Sequence, residues 1–171
     1  RLAETIERVR KNDQIKAVVL RVNSPGGDAL ASDVIWREMN LLKDEKPVIV
    51  SMGDVAASGG YWISCASDKI IADPTTLTGS IGVFGVIPNI GGFMENKIGM
   101  SFDHVKTNEN AGFPSILRPL NDYERMVLES KIENIYSLFL DRVSENRNMS
   151  AEAVDEIGEG RVWSGIDAKR L

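Results

Sequence analysis

Two short runs rich in β-branched residues, IKAVVLRV at 15–22 and PVIVSM at 47–52, are separated by a segment with the periodicity of an amphipathic helix. This alternation constrains the fold more than any other feature. Over 29–43 the apolar residues Ala31, Val34, Ile35, Met39 and Leu42 recur at helical spacing, and Asp28 stands where a helix cap belongs. Strands joined through a helix run parallel, because the crossover returns the chain to the end of the sheet where it started. The spacing therefore predicts an α/β domain with a largely parallel sheet. Each apolar run also ends in a glycine-containing loop, NSPGG at 23–27 and GDVAASGGYW at 53–62.

The remaining pattern fills in around this unit. A helix is predicted over 2–12, on Leu2, Ile6 and Val9, and another from near Ser58 with Tyr61, Trp62 and Cys65. A short strand at 69–72 follows, then turns and short strands over 73–92, a short helix around 91–98 and a strand at 101–106 (SFDHVK). Residues 107–120 read as an exposed loop. A long helix over 121–147, capped by Asn121 or Asp122, carries Val127, Leu128, Ile132, Ile135, Phe139 and Val143 along one side. Ser150 caps a helix at 151–157, and a short RVW strand and a helix from Ser164 close the chain.

The 171 residues are 43% hydrophobic and 26% charged, enough for one packed core, and residues 1–171 read as a single domain. Twenty basic and twenty-five acidic residues give a net charge of −5 with no basic block, which speaks against a nucleic-acid partner. One cysteine, Cys65, and one histidine, His104, exclude an internal disulfide, a Cys-rich zinc site and any site needing two histidine ligands. No metal or organic cofactor is implied. No secretory signal is visible, and no apolar stretch approaches the roughly 20 residues of a membrane helix. The chain starts at Arg1 and stops at Leu171 within a helical pattern, so it is expected to be a fragment of a longer protein.

In a parallel sheet both glycine loops emerge at the carboxyl ends of strands, where α/β folds place ligands. Their backbone N–H groups can approach a ligand closely and are suitable donors to a developing oxyanion. Ser58 lies where the second loop turns into a helix, whose N-terminus favours nearby negative charge. The plainer alternative makes both loops tight turns and Ser58 a helix cap.

Four segments, LRVNSPGG at 20–27, SMGDVAASGGYWIS at 51–64, TLTGSIGVFGV at 76–86 and GRVWSGIDAK at 160–169, give the chain its resemblance to peptidase family S49, the signal peptide peptidase A or protease IV group. The resemblance spans essentially the whole chain. It implies a ClpP/crotonase-like fold, a spiral of ββα units, and a serine nucleophile paired with a lysine general base. Ser58 in AASGGYW matches the nucleophile. Gly59, together with Gly26 or Gly27 in NSPGG, matches the loops that form the oxyanion hole. Ser80 in LTGSIG matches a hydroxyl that hydrogen-bonds the catalytic lysine, the alternative being a turn serine beside Gly79.

Short members of the family carry the lysine in the loop after the strand resembling SFDHVK. Here that loop, TNENAGFPSILRPL, contains no lysine, and Lys106 falls too early, on the strand pattern. Long members hold two tandem copies of the domain, the C-terminal one bearing the serine and the N-terminal one the lysine. The resemblance thus implies the serine-bearing half of a long-type, two-repeat member, inactive or nearly so alone. Its implied partners are peptide substrates (signal peptides left in the membrane), the N-terminal half and further copies forming a tetramer. The implied location is the extracytoplasmic side of a bacterial membrane. A Ser–His–Asp triad built on His104 and Asp103 lacks a matching motif. Two other functions compete: a crotonase-like acyl-CoA enzyme, for which a carboxylate pair and CoA surface cannot be located, and a non-catalytic oligomerisation half.

Overall fold

The computed structural model describes residues 1–171, which divide into two compact units. The first comprises residues 1–83 and 135–171, and the second comprises residues 84–134.

The first unit follows the predicted order: α1 (Leu2–Arg10), β1 (Val18–Ser24), α2 (Ala29–Glu45), β2 (Val48–Ala57), α3 (Gly59–Cys65), β3 (Lys69–Ile71) and β4 (Leu77–Gly79). After the second unit come α6 (Ala151–Ile157), β5 (Val162–Ser164) and α7 (Gly165–Ala168). The sheet runs β1-β2-β4-β5, with β3 on the same edge of β2 as β4 but nearer its start. All pairings are parallel except β4 with β5. Val22, Val48, Val50 and Met52 point from the sheet into one core with Trp36, Met39 and Leu42 of α2 and Trp62 of α3. Asp28 caps α2 as predicted, its carboxylate accepting the Ala31 N–H at 2.8 Å. Phe139 and Val143 enter the same core from α5 (Asp122–Arg147), and the Phe139 ring stacks on Trp62 at a centroid distance of 4.3 Å.

β2 is longer than PVIVSM suggests. It continues through GDVAA to Ala57, so the first half of the loop expected at 53–62 is strand. Apart from Val55, the residues there lack the branched bulk that marks a strand in sequence.

The second unit contains α4, a single α-helical turn (Gly91–Phe93) that widens into a π-helical turn (Met94–Ile98), and the start of α5. It holds no strand, which corrects the expectation for 101–106: SFDHVK is irregular, and each of its residues is on the surface. A lone strand has no ladder to satisfy its backbone, and no neighbour exists within this unit. His104 and Lys106 are therefore exposed residues of an irregular segment rather than of a strand.

Asn121, not Asp122, caps α5. Its side chain accepts the Glu124 N–H at 2.8 Å, and Glu124 returns the bond by accepting the Asn121 N–H at 3.0 Å. The Arg118 guanidinium grips the same buried carboxylate with two bonds of 2.6 and 2.7 Å. Arg118 first, then the Asn121 N–H, holds the Glu124 carboxyl at about 2, well below its ordinary 4.5. The folded state thus favours the ionised form. The resulting stabilisation is complete above pH 4.5 and is lost as pH falls through about 2. Backbone NMR of the first turn of α5 is expected to show that turn loosening across this interval, and Glu124→Gln is expected to remove the acid dependence while weakening the turn at neutral pH. An identical acid profile in the variant would contradict the assignment.

Candidate active site

β1, β2 and β4 all end at the same edge of the sheet, and their carboxyl ends carry the loops singled out in the sequence. Ala57 pairs with Gly79, so Ser58 and Ser80 follow directly from neighbouring positions in the ladder.

Ser58 has φ 51° and ψ −123°. Glycine adopts this conformation readily, as at the first central position of a type II′ turn, and for serine it costs on the order of 1–3 kcal/mol. Two backbone bonds hold it: the Ser58 N–H donates to the Gly79 carbonyl and the Ser58 carbonyl accepts the Trp62 N–H, each at 2.9 Å. The hydroxyl caps nothing. Asp28, Ser150 and Ser164, by contrast, each accept a backbone N–H at the start of their helices. Ser58 therefore stands at the cap position without acting as a cap, half-exposed, on a sharp strand-to-helix turn.

The NSPGG loop lies directly against this turn. Gly26 has φ +117°, and a Cβ there would fall 2.8 Å from Ser58 Cβ and 3.0 Å from the Gly59 nitrogen. A Cβ on Gly59 would fall 3.1 Å from the Gly27 nitrogen. Gly26, Gly27, Ser58 and Gly59 are thus in mutual contact. The two candidate donors of NSPGG also separate. The Gly26 N–H donates to Ser24 Oγ at 3.2 Å, whereas the N–H groups of Gly27 and Gly59 meet no acceptor. A cavity of about 370 Å³ opens beside them, walled by Leu20, Ile35 and Ile63 with Arg21, Asn23 and Asp28 also in its lining.

Ser80 also has a positive φ, 48°, and its N–H donates to the Arg161 carbonyl at 2.7 Å. Its hydroxyl is half-exposed and bonds no other group. Cys65 is fully buried, and burial pushes its thiol up to about 12, so it stays protonated and unreactive. Tyr61 is half-buried, its phenol likewise raised to about 12 by desolvation, and Trp62 lies in the core. Sequence reasoning gave no role to Asn23, Thr76 and Thr78, whose side chains bond the backbone of β2 just before Ser58.

The family model described as Peptidase family S49 matches residues 40–171. The chain belongs to this family. A second model, Clp protease, matches residues 2–76, and with the mostly parallel sheet it shows a ClpP/crotonase-like α/β fold. Among curated proteins, this S49 chain is 46% identical to Protease 4 of Haemophilus influenzae over 98% of its length. It is 44% identical to Protease 4 of Salmonella typhi and 43% identical to the chloroplastic serine protease SPPA of Arabidopsis thaliana, again over 98% of its length. It covers 25–27% of those proteins, so it spans about a quarter of the length of these three relatives. No helix in it is long and apolar enough to cross a membrane.

Proposed function

We propose that this chain is the serine-bearing part of a Ser/Lys peptidase that degrades membrane-retained signal peptides. The observation that carries the reading is the strained, uncapped Ser58 beside the unengaged N–H groups of Gly27 and Gly59. Ser58 Oγ attacks the scissile carbonyl and gives its proton to the lysine amine. The carbonyl oxygen becomes an oxyanion held by Gly27 and Gly59, the leaving amine takes the proton, and water then hydrolyses the acyl-enzyme. Gly26 serves as the hinge that brings these donors to the nucleophile. Ser80, free at the end of the adjacent strand, orients the lysine. The apolar cavity walls suit the apolar cores of signal peptides.

The lysine comes from elsewhere in a longer, two-repeat protein. Residues 107–120 contain none, and the Protease 4 relatives are about four times as long as this chain. Exposed Phe84, Val86, Phe93 and Val105 in the second unit favour burial against the other half or further copies. In the same reading the assembly is a tetramer on the extracytoplasmic side of a bacterial membrane.

A fluorophosphonate probe tests this reading. Labelling at Ser58 is expected in the full-length protein and is expected to be nearly absent in the isolated 171-residue chain. Rapid labelling of the isolated chain, abolished by Lys106→Ala, would place the base within it and overturn the division of labour. A full-length protein that binds CoA thioesters and stays unlabelled would overturn the peptidase reading.

A further inference from the structure

β1 and β2 change register just before the site. Val22 pairs with Met52, but Ser24 pairs with Ala56, so the single residue Asn23 faces three residues of β2, Gly53, Asp54 and Val55. Such a bulge deprives backbone groups of their ladder partners and re-aims the strand that follows. Here side chains replace the missing partners. Asn23 Oδ1 accepts the Val55 N–H at 3.2 Å, and its amide presses so closely on Gly53 that a Cβ there would lie 2.7 Å from Oδ1. From the other side, Thr76 Oγ1 donates to the Gly53 carbonyl at 2.8 Å and accepts the Asp73 N–H at 3.1 Å. Thr76 is 1% exposed, so without its hydroxyl that carbonyl would be buried and unpaired.

We propose that Asn23 and Thr76 are positioning residues for the peptidase reaction: they clasp the bulge of β2 from both sides and thereby fix the register at which Gly26 and Gly27 meet Ser58 and Gly59. Ser24 and Ala56, the first pair beyond the bulge, lie two residues before Gly26 and Ser58 respectively, so a slip at the bulge passes directly into the contact between nucleophile and oxyanion donors. A misplacement of about 1 Å between reacting groups can cost on the order of 100-fold in rate. The inference rests on the peptidase reading of Ser58.

The test uses the full-length protein, with Asn23→Leu and Thr76→Val removing the bonding atoms and Asn23→Asp and Thr76→Ser retaining them. Asn23 is exposed, so Asn23→Leu keeps the core intact. Asn23→Leu is expected to lower kcat and the fluorophosphonate labelling rate by about 10- to 100-fold with KM nearly unchanged, and Asn23→Asp to restore most of the loss. Thr76→Val and Thr76→Ser are expected to repeat the pattern. Wild-type kcat in a folded Asn23→Leu variant, or a loss that Asn23→Asp fails to restore, would overturn the inference and leave the peptidase reading standing. A wild-type protein unlabelled at Ser58 would overturn that reading, and this inference with it.

Discussion

Ser58→Ala in the full-length protein is expected to reduce peptide hydrolysis by at least about 1,000-fold while leaving the fold intact. The hydroxyl makes no hydrogen bond in the folded chain, so its removal strands no buried partner. Any residual rate would come from substrate binding and the oxyanion donors alone. The strain at this position gives a second signature. At φ 51° alanine suffers as serine does, whereas glycine does not. Ser58→Gly is therefore expected to be as inactive as Ser58→Ala but more stable by about 1 kcal/mol, measured by urea unfolding. A strained residue whose replacement raises stability and destroys activity is held for function rather than for folding. Equal stability of the two variants would show that the turn is not strained, and retained hydrolysis in either would remove Ser58 from the chemistry.

The parallel α/β core was legible because it rests on bulk and period: the residues of IKAVVLRV and PVIVSM are branched and apolar, and the face of α2 repeats at helical spacing. Caps at Asp28 and Ser150 were legible for a related reason, since a short polar side chain ahead of an apolar period has a local partner. GDVAA was not. Only Val55 of its five residues is β-branched, and the segment is held as strand by Asn23, Thr76 and Thr78, all distant in sequence. SFDHVK failed in the opposite way, because alternation signals a strand only if another strand lies beside it. At the candidate site the motifs pointed to residues that the fold brings together, but the sequence could not choose between Gly26 and Gly27. What separates them in the structure is that Ser24 Oγ accepts the Gly26 N–H and leaves the Gly27 N–H free, a contact the sequence does not display.

The same geometry makes two adjacent glycines behave very differently on substitution. A Cβ on Gly26 would lie 2.8 Å from Ser58 Cβ, 3.0 Å from the Gly59 nitrogen and 3.1 Å from the Ala57 carbonyl oxygen, at a φ of +117° that side-chain-bearing residues avoid. None of these neighbours is the tip of a flexible chain, so either the NSPGG loop or the Ser58 turn must move. Gly26→Ala is expected to lower kcat by about 100-fold or more and to destabilise the protein by about 1–3 kcal/mol. Gly27 has no neighbour within 4 Å of a Cβ position and no positive φ. Gly27→Ala also keeps the N–H that would face the oxyanion, so its activity is expected to stay within about tenfold of wild type. Kinetics and urea unfolding of the two variants in the full-length protein check the contrast. Comparable activity in both would mean that the two loops do not meet as described, because the difference arises entirely from how closely Gly26 is pressed against Ser58 and Gly59.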